Sequence, residues 1–370
     1  MTDDVLSDLD DVLAREDLRW SLMLVGEDQS DKLAALNADL RAAPSATGDG
    51  KRITPGFEYW GIGPSIAWAR ATRDPLYPVM KLGIEYFRRH WRQLAPDVVA
   101  DCVHLVSLGV GTGVKDHVVL RDMVRHAPEA IYIPVDLSAE MLRMGTREAV
   151  ADLRIPPSQV LPVQLDLAFA ENADDLARAV QQLVADEPVL YTLTGNTLAN
   201  FDDDEEFLAS LAAMLRPQDR LLLEVATTTR LDDQAARDAA AEYESAHRFG
   251  EFVISALRYL TDLKISEENV RFHGSVDGDG LLVKVVWHND GPDVRMGLPD
   301  ASDTNVPTGD TVRLYTTRKF SRARIQRLLT ACGLGEVASV RSQFRGARRV
   351  NPFGIEMLLL APDAPAADGS

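Results

Sequence analysis

The residues best suited to chemistry form a glycine-rich turn near residue 110. Gly109, Gly111 and Gly113 follow an apolar segment, and a predicted helix begins directly after them. Glycine lets a backbone approach a ligand closely, and the first turn of a helix offers backbone amides without partners inside the helix. The pattern predicts a ligand-binding turn, although a plain strand-to-helix turn could carry the same glycines.

Further polar residues stand where neighbouring strands are predicted to end. Asp136 ends the second strand, where a carboxylate can accept both hydroxyls of a ribose. Asp166 and Leu167 follow the third strand, in position for an adenine amino group and ring, and Asn200 follows the fourth. Parallel strands end at one sheet edge, so these residues are predicted to meet there. The structural alternatives are a residue beside a helix N-cap for Asp136, a solvated loop acid for Asp166 and an Asx turn for Asn200.

The spacing of the glycines discriminates between two nucleoside cofactors. The dinucleotide fingerprint G-x-G-x-x-G requires glycine at position 114, which is Val114 here. The turn therefore favours S-adenosylmethionine, and an NAD-dependent oxidoreductase or a ligand-binding protein without turnover are the alternatives. No metal site is predicted, because the histidines lack ligand spacing and the chain has only Cys102 and Cys332.

Strand and helix patterns alternate through the middle of the chain. Strands are predicted at Val103–Leu108, Ile131–Val135, Val160–Leu165, Val189–Leu193 and Arg220–Val225. Helices are predicted at Lys115–His126, Ala139–Asp152, Asp174–Ala185 and Asp203–Leu215. This alternation is typical of an α/β fold with a parallel, Rossmann-like sheet and helices on both faces.

The flanking segments follow other patterns. The first forty residues are predicted to be helical, Pro44–Lys51 a loop, and a helix follows Pro78 toward Leu94, whereas glycine and proline within Ile53–Trp68 argue against a simple helix. Beyond Val225 we expect helices over Leu231–Leu263 and Ser321–Cys332 and strands at Val312–Thr316 and Ile355–Leu360. We also expect a hairpin around Asp277–Gly280, a loop over Asn289–Thr311 and a solvated loop over Arg341–Arg349.

Composition excludes several classes of protein. The 370 residues include 57 acidic and 39 basic side chains, giving a formal net charge of −18. Such a charge repels phosphate backbones, so no nucleic-acid partner is expected. No run approaches the roughly 18 apolar residues of a membrane span, and the acidic start is unlike a signal peptide. The sequence predicts a cytoplasmic protein that handles a small molecule, as a monomer or weak dimer.

Taken together, the motifs resemble the histidine-specific methyltransferases of ergothioneine biosynthesis, which trimethylate the α-amine of histidine. The resemblance runs from about Phe57 to Leu360 and rests on the segments 108–115, 134–138, 166–167, 195–201, 215–219 and 313–320. It implies a class I methyltransferase core and a second, substrate-binding lobe made from the N-terminal segment and an insertion after the fifth strand. The implied division is 1–85 and 228–318 for the substrate lobe, 86–227 and 319–361 for the core, and 362–370 as a disordered tail.

The resemblance also implies roles for individual residues. S-adenosylmethionine would be held by the glycine turn of Gly109, Gly111 and Gly113 and by Lys115, Asp136, Asp166 and Leu167, with Lys115 near its carboxylate. Asn200 and Tyr243 would grip the carboxylate of an amino-acid substrate, and Tyr77 would line the pocket.

Two departures from the family pattern bear on the substrate. Ser107 replaces a glutamate of the first strand, and Tyr315 and Thr317 stand where the family has a glutamate and a serine that bind imidazole. A phenol cannot replace a carboxylate's charge, and losing a buried hydrogen-bond partner costs about 1–3 kcal/mol. We therefore expect N-methylation of a small amino acid or amino-acid-derived amine other than histidine, with histidine Nα-methylation as the alternative.

Overall fold

The alternating segments fold into one large sheet. The computed structural model describes residues 24–25, 29–74, 78–344 and 351–363. Its strands are β1 (Leu24–Val25), β2 (Lys51–Arg52), β3 (His104–Leu108), β4 (Tyr132–Asp136), β5 (Val163–Gln164), β6 (Val189–Leu193), β7 (Arg220–Thr228), β8 (Val270–Asp277), β9 (Gly280–His288), β10 (Val294–Gly297), β11 (Asp303–Val306), β12 (Thr311–Phe320), β13 (Leu334–Gln343) and β14 (Phe353–Pro362). Its α-helices are α1 (Gln29–Leu40), α2 (Ile62–Ala71), α3 (Pro78–Asp101), α4 (Val114–His126), α5 (Ala139–Ala149), α6 (Ala170–Val184), α7 (Asp204–Met214), α8 (Asp233–Glu244), α9 (His247–Leu260) and α10 (Arg322–Ala331).

The core of the sheet is parallel, as predicted. Strands β1, β5, β4, β3, β6 and β7 lie side by side in that order and run parallel. Antiparallel β14 pairs with β7, and β13 pairs with β14. Strand β5 has two residues where six were predicted, because Pro162 lacks the N–H that would extend its ladder.

Helices cover both faces of this sheet, because neighbouring side chains along a strand point to opposite sides. Leu222 of β7 belongs to a core with Trp91 of α3, on one face. Leu223, the next residue, belongs to a different core with Leu176 of α6, on the other face. The predicted α/β fold class is therefore confirmed.

A second body of structure begins where β7 ends. Antiparallel β8, β9 and β12 form its sheet, and the predicted hairpin around Asp277–Gly280 joins the first two. Phe320 of β12 pairs with Thr227 of β7, so this sheet continues from the carboxyl end of the core strand. Helices α1, α8 and α9 contribute to its apolar core. Strand β12 runs unbroken through the expected boundary at residue 318, and the division into lobes stays a prediction.

Several expectations for the flanking segments were wrong. No single helix covers Ile53–Trp68, but helix α2 begins at Ile62 and runs to Ala71, because Pro64 lies in its first turn, where proline's missing N–H breaks no helical bond. The supposed loop over Asn289–Thr311 holds the short hairpin β10–β11, whose four-residue strands are too brief and polar to give an alternating pattern. Helix α3 continues to Asp101 rather than ending near Leu94.

The two ends of the chain depart from prediction in part. Helix α1 agrees with the expected N-terminal helicity, but residues 1–23 lie outside the described residues. Strand β13 was missed, and Arg341 lies in it rather than in a solvated loop, because its pairing with β14 is not a local property. Pro362 of the expected disordered tail ends β14, and residues 364–370 are not described.

Candidate functional site

The glycine turn connects β3 to α4 through left-handed backbone. Gly109, Gly111 and Gly113 have φ angles of +78°, +54° and +74°, a region that favours glycine. A methyl group on Gly113 would lie 2.0 Å from the carbonyl oxygen of Gly145 on α5, so packing as well as φ requires glycine there. A methyl group on Gly109 would meet only Thr197, at 3.7 Å. A methyl group on Gly111 would meet only the Gly109 carbonyl oxygen, at 3.9 Å, so Gly109 and Gly111 both leave room for a ligand and Gly113 does not.

One cavity at the carboxyl ends of the parallel strands collects the residues that the sequence singled out. Those lining it are Gly109, Gly111, Gly113, Lys115, Asp136, Asp166, Leu167, Asn200, Tyr243, Tyr315 and Thr317. Tyr77 lies outside the described residues.

Asp136 is held by backbone amides at the end of β4. Its two carboxylate oxygens accept from the N–H groups of Gly111, at 3.3 Å, and Ser138, at 3.0 Å. Ser138 itself caps α5, since its hydroxyl accepts from the Met141 N–H. Burial raises the pKa of Asp136 to about 6. The carboxylate is thus positioned by the glycine turn and leaves the capping of α5 to Ser138.

Asp166 forms a buried ion pair with Lys32 of α1. Its other carboxylate oxygen accepts from the Ala168 N–H at 3.0 Å, and Lys32 also donates to the Pro55 carbonyl. The solvated-loop alternative for Asp166 is therefore wrong. A ligand that reaches this carboxylate shares it with Lys32, a residue that the sequence did not single out because it lies 134 positions away.

Lys115, at the start of α4, forms an ion pair with Glu224 of β7. The Glu224 side chain is fully buried, and its Oε2 also accepts from the Gly195 N–H at 2.8 Å. Its Oε1 is buried and has no hydrogen-bond partner among the described residues. Lys115 itself lines the cavity. Its ammonium is therefore next to the ligand site and is also paired with the buried Glu224 carboxylate.

Asn200 lies between two phenols. Tyr315 Oη donates to Asn200 Oδ1 at 2.9 Å, and Asn200 Nδ2 donates to Tyr59 Oη at 3.4 Å. Burial raises the pKa of Tyr315 well above its usual value, which keeps this phenol protonated as the donor. Asp203 caps α7 with its own carboxylate. The Asn200 side chain therefore belongs to the cavity, and the Asx-turn alternative does not describe its contacts.

Thr317 and Tyr243 line the same cavity as this group. Thr317 Oγ1 accepts from Asn196 Nδ2 at 3.2 Å. The same Asn196 side chain accepts from the Ala226 N–H at 2.8 Å, which ties Thr317 to the end of β7. Tyr243 is buried in the wall of the cavity, and the Lys319 ammonium lies 5.5 Å from its ring centre.

Glu58 is a lining residue that the sequence analysis missed. It lies in the 3₁₀ turn Phe57–Tyr59, is only 3% exposed, and accepts from the Gly56 N–H at 2.8 Å. Burial raises its pKa from 4.5 to about 7. The signal available in the sequence was an acidic residue enclosed by aromatic ones.

A family model described as histidine-specific methyltransferase, SAM-dependent, matches residues 34–345. The match covers far more than half of the sequence. The chain belongs to this family. This methyltransferase is thus an enzyme that depends on S-adenosylmethionine, and its α/β sheet is the class I methyltransferase fold. The assignment rests on the family match together with the glycine turn and strand-end residues described above.

Solved structures similar to this methyltransferase are distant from it in sequence. An S-adenosylmethionine-dependent methyltransferase from Clostridium acetobutylicum is 10% identical, with 78% of this chain and 96% of that chain covered and a TM-score of 0.40. Magnesium protoporphyrin IX methyltransferase from Synechocystis is 12% identical, with coverages of 83% and 97% and a TM-score of 0.40. A glycopeptide N-methyltransferase is 14% identical, with coverages of 73% and 92% and a TM-score of 0.34. A search of curated proteins finds no match.

In the described part of this methyltransferase, no helix is both long and apolar enough to span a bilayer. In the same residues, no group of three or more histidine, cysteine, aspartate or glutamate side chains is arranged to hold a metal ion.

Proposed function

We propose that this methyltransferase transfers a methyl group to the amine of a small amino acid or amino-acid-derived metabolite. The observation that carries the proposal is the grouping of Asn200 with the Tyr59 and Tyr315 phenols in the same cavity as the glycine turn. An amide between two phenols offers both donors and acceptors to the polar groups of an amino acid. The cavity therefore combines a nucleoside end with a polar, aromatic end.

The residues at the nucleoside end fit S-adenosylmethionine. The open side of Gly109 leaves space for the ligand, and Asp136 is fixed by two amides in the position expected to receive ribose hydroxyls. In this proposal Asp166 and Leu167 bind adenine, and Lys115 faces the carboxylate of the methionine part. Gly111 and Gly113 complete the turn that holds these groups in place.

Contacts at the other end support an acceptor other than histidine. The family pattern implies imidazole recognition at the positions of Tyr315 and Thr317. Here the Tyr315 hydroxyl donates to Asn200, and the Thr317 hydroxyl accepts from Asn196. Both are neutral hydroxyls, so neither supplies the negative charge that the family's glutamate would offer to an imidazole, and both already have hydrogen-bond partners within the chain. Histidine remains the second candidate, because the family description names it.

Methyl transfer requires mainly that the protein orient the acceptor and the methyl donor relative to each other. S-adenosylmethionine supplies a methyl group on a sulfonium, a good leaving group. In the proposed reaction, Asn200 and Tyr243 orient the acceptor so that the nitrogen lone pair lies about 3 Å from the methyl carbon. Buried aromatic rings around this point exclude water.

A panel of acceptors tests the proposal directly. The protein is incubated with S-adenosylmethionine and individual amino acids and amines, and product masses are followed with S-adenosylhomocysteine release. We expect a mass increase of one or more methyl groups on a small amine, with histidine reacting less well. Histidine as the best acceptor would overturn the inference from Tyr315 and Thr317. Tight S-adenosylhomocysteine binding with no product from any amine would contradict the amine proposal.

Replacing Asn200 by alanine is expected to lower kcat/KM for the acceptor about tenfold to fiftyfold. The loss corresponds to about 1.4–2.3 kcal/mol of hydrogen bonding in a buried site. Calorimetry should give an S-adenosylhomocysteine Kd within twofold of the wild type. Tyr315→Phe, which keeps the ring and removes the donor to Asn200, should give a smaller loss. Unchanged acceptor kinetics in N200A would contradict the role given to Asn200.

A further inference from the structure

The mechanism above leaves one lining carboxyl group without a role. Glu58 borders the same cavity as Asn200 and Tyr315, although it lies on a separate segment far upstream in the chain. Its side chain is almost fully buried, and Oε2 is fixed by the Gly56 N–H at 2.8 Å. A buried carboxyl group is costly to ionise unless a cation or donors compensate it.

No basic side chain of the described residues forms an ion pair with Glu58. The charge of Lys32 of α1 lowers the pKa of Glu58, but the Lys32 ammonium itself is paired with Asp166. Asp202, which follows the Thr197–Asn200 turn, is acidic and pairs with Arg52 and Arg313. Lys32 and the backbone N–H groups offset the cost of burial only in part, since the pKa of Glu58 is still raised, and this carboxylate has no counter-ion of its own among the described residues.

The other elements packed near Glu58 offer neutral groups. Helix α9 contributes Phe252, whose ring lies 5.2 Å from that of Tyr59. Strand β12 contributes Tyr315, which is protonated and donates to Asn200. The phenols of Tyr59 and Tyr243 also line the cavity. Its remaining charged side chains, Lys115, Asp136 and Asp166, are assigned to the nucleoside end.

We propose that Glu58 is the catalytic base that removes a proton from the ammonium form of the acceptor. This inference rests on the proposed function, since it requires an amine as substrate. The acceptor's ammonium would supply the positive charge that the protein does not place beside this carboxylate. The chemical class of acceptor is accordingly an amine that enters protonated and must be made neutral before it can attack.

The proposed sequence of bonds balances. The Glu58 carboxylate takes one proton from the acceptor's ammonium and becomes a neutral carboxylic acid, which leaves a free electron pair on nitrogen. That pair forms the new N–C bond as the C–S bond breaks, and the C–S electrons stay on sulfur as a thioether. The product is a methylated ammonium, and the proton on Glu58 returns to solvent when the product leaves.

The pKa of Glu58 suits this role, because a base works best when its pKa lies near the working pH. Burial raises that pKa from 4.5 to about 7. The carboxylate therefore forms as the pH rises through about 7, and kcat/KM for the acceptor should rise over the same range. The rise reports ionisation before the acceptor binds, since the pH dependence of kcat/KM reflects the free enzyme rather than the enzyme–acceptor complex.

The test compares the wild type with Glu58→Gln, which keeps an oxygen for the Gly56 N–H but cannot take a proton. With the best acceptor of the panel, E58Q is expected to lose about a hundredfold in kcat/KM at pH 8, within the usual range for a general base. Its pH profile should lose the rise near pH 7, and its Kd for S-adenosylhomocysteine should stay within twofold. Glu58→Asp should retain the pH-dependent rise at a lower rate. Glu129→Gln, the same change in an exposed loop, is the control and should match the wild type.

Stability provides a readout that is independent of turnover. A raised folded-state pKa means that ionisation of Glu58 destabilises the folded protein as the pH rises from about 4.5 to about 7. E58Q should therefore melt at least as high as the wild type at pH 8. An active wild type with unchanged rate and pH profile in E58Q would overturn the role of Glu58 alone. A wild type that binds S-adenosylhomocysteine but methylates no amine would overturn the proposed function, and this inference with it.

Discussion

Alanine at Gly113 is expected to lower the free energy of unfolding by about 2–5 kcal/mol, the sum of left-handed strain and overpacking. The added methyl would lie 2.0 Å from the Gly145 carbonyl oxygen and 3.0 Å from the Ala149 nitrogen. Both are backbone atoms of α5, so no side chain can turn aside to make room. The loop or the helix would have to move, and the contact between them would be lost.

Gly109 is the matched control for this change, because it has nearly the same φ angle, +78° against +74°. A methyl group there meets only the Thr197 side chain at an ordinary distance of 3.7 Å. G109A should therefore lose only about 1–2 kcal/mol of stability from the strained backbone. Its methyl would project toward the ligand, so its affinity for S-adenosylhomocysteine should fall tenfold or more.

The two variants are compared by urea unfolding and by calorimetric titration with S-adenosylhomocysteine. We expect G113A to have the lower free energy of unfolding. We expect folded G109A to bind S-adenosylhomocysteine more weakly than folded G113A does. Equal stability of the two variants would contradict the packing argument. Wild-type affinity in G109A would show that the ligand does not approach this glycine.

Much of the site was predictable because its residues follow strands directly. Asp136, Asp166 and Asn200 each come immediately after a predicted strand or its turn, and parallel strands bring such positions to one edge. The sheet order need not be known for this inference, only that the strands are parallel. The same logic located the glycine turn, since its spacing is a local property of the sequence.

The partners of these residues were not predictable in the same way. Glu58 lines the cavity from a short 3₁₀ turn. Lys32 of an N-terminal helix and Glu224 from the interior of a strand pair with the lining residues Asp166 and Lys115. Their sequence neighbours indicate only helix or apolar packing. Their position near the cavity depends on contacts between segments that are distant in the chain, and these contacts cannot be inferred from a single sequence.

Acidic groups near the cavity illustrate this limit. The resemblance implied glutamates at the positions of Ser107 and Tyr315, and their absence argued for a less charged site. The fold instead places two other buried glutamates, Glu58 and Glu224, at or next to the cavity, on elements other than those of Ser107 and Tyr315. The charge of a site is therefore a property of the fold, and substitutions at the family positions give an incomplete account of it.

Removing one partner of the ion pair between Lys115 and Glu224 is expected to destabilise the protein strongly. Glu224→Ala removes the only carboxylate paired with Lys115 among the described residues. Breaking a buried pair by removing one partner costs about 3–5 kcal/mol, because the other charge stays uncompensated. Lys115→Met should cost a similar amount, since Glu224 keeps only the Gly195 N–H as a donor.

The double variant Lys115→Met, Glu224→Leu decides whether this cost reflects the pair itself or the charge left behind. Replacing both partners by apolar residues of similar size is often nearly neutral, so the double variant should recover most of the lost stability. Asp175→Ala, in an exposed pair with Arg178 whose side chains are 62% and 74% exposed, should cost less than about 1 kcal/mol. If Lys115 also faces the cofactor carboxylate, the stable double variant should still bind S-adenosylhomocysteine at least tenfold more weakly. Wild-type affinity in that variant would limit Lys115 to a structural role, because its fold would be intact and only the ammonium would be missing.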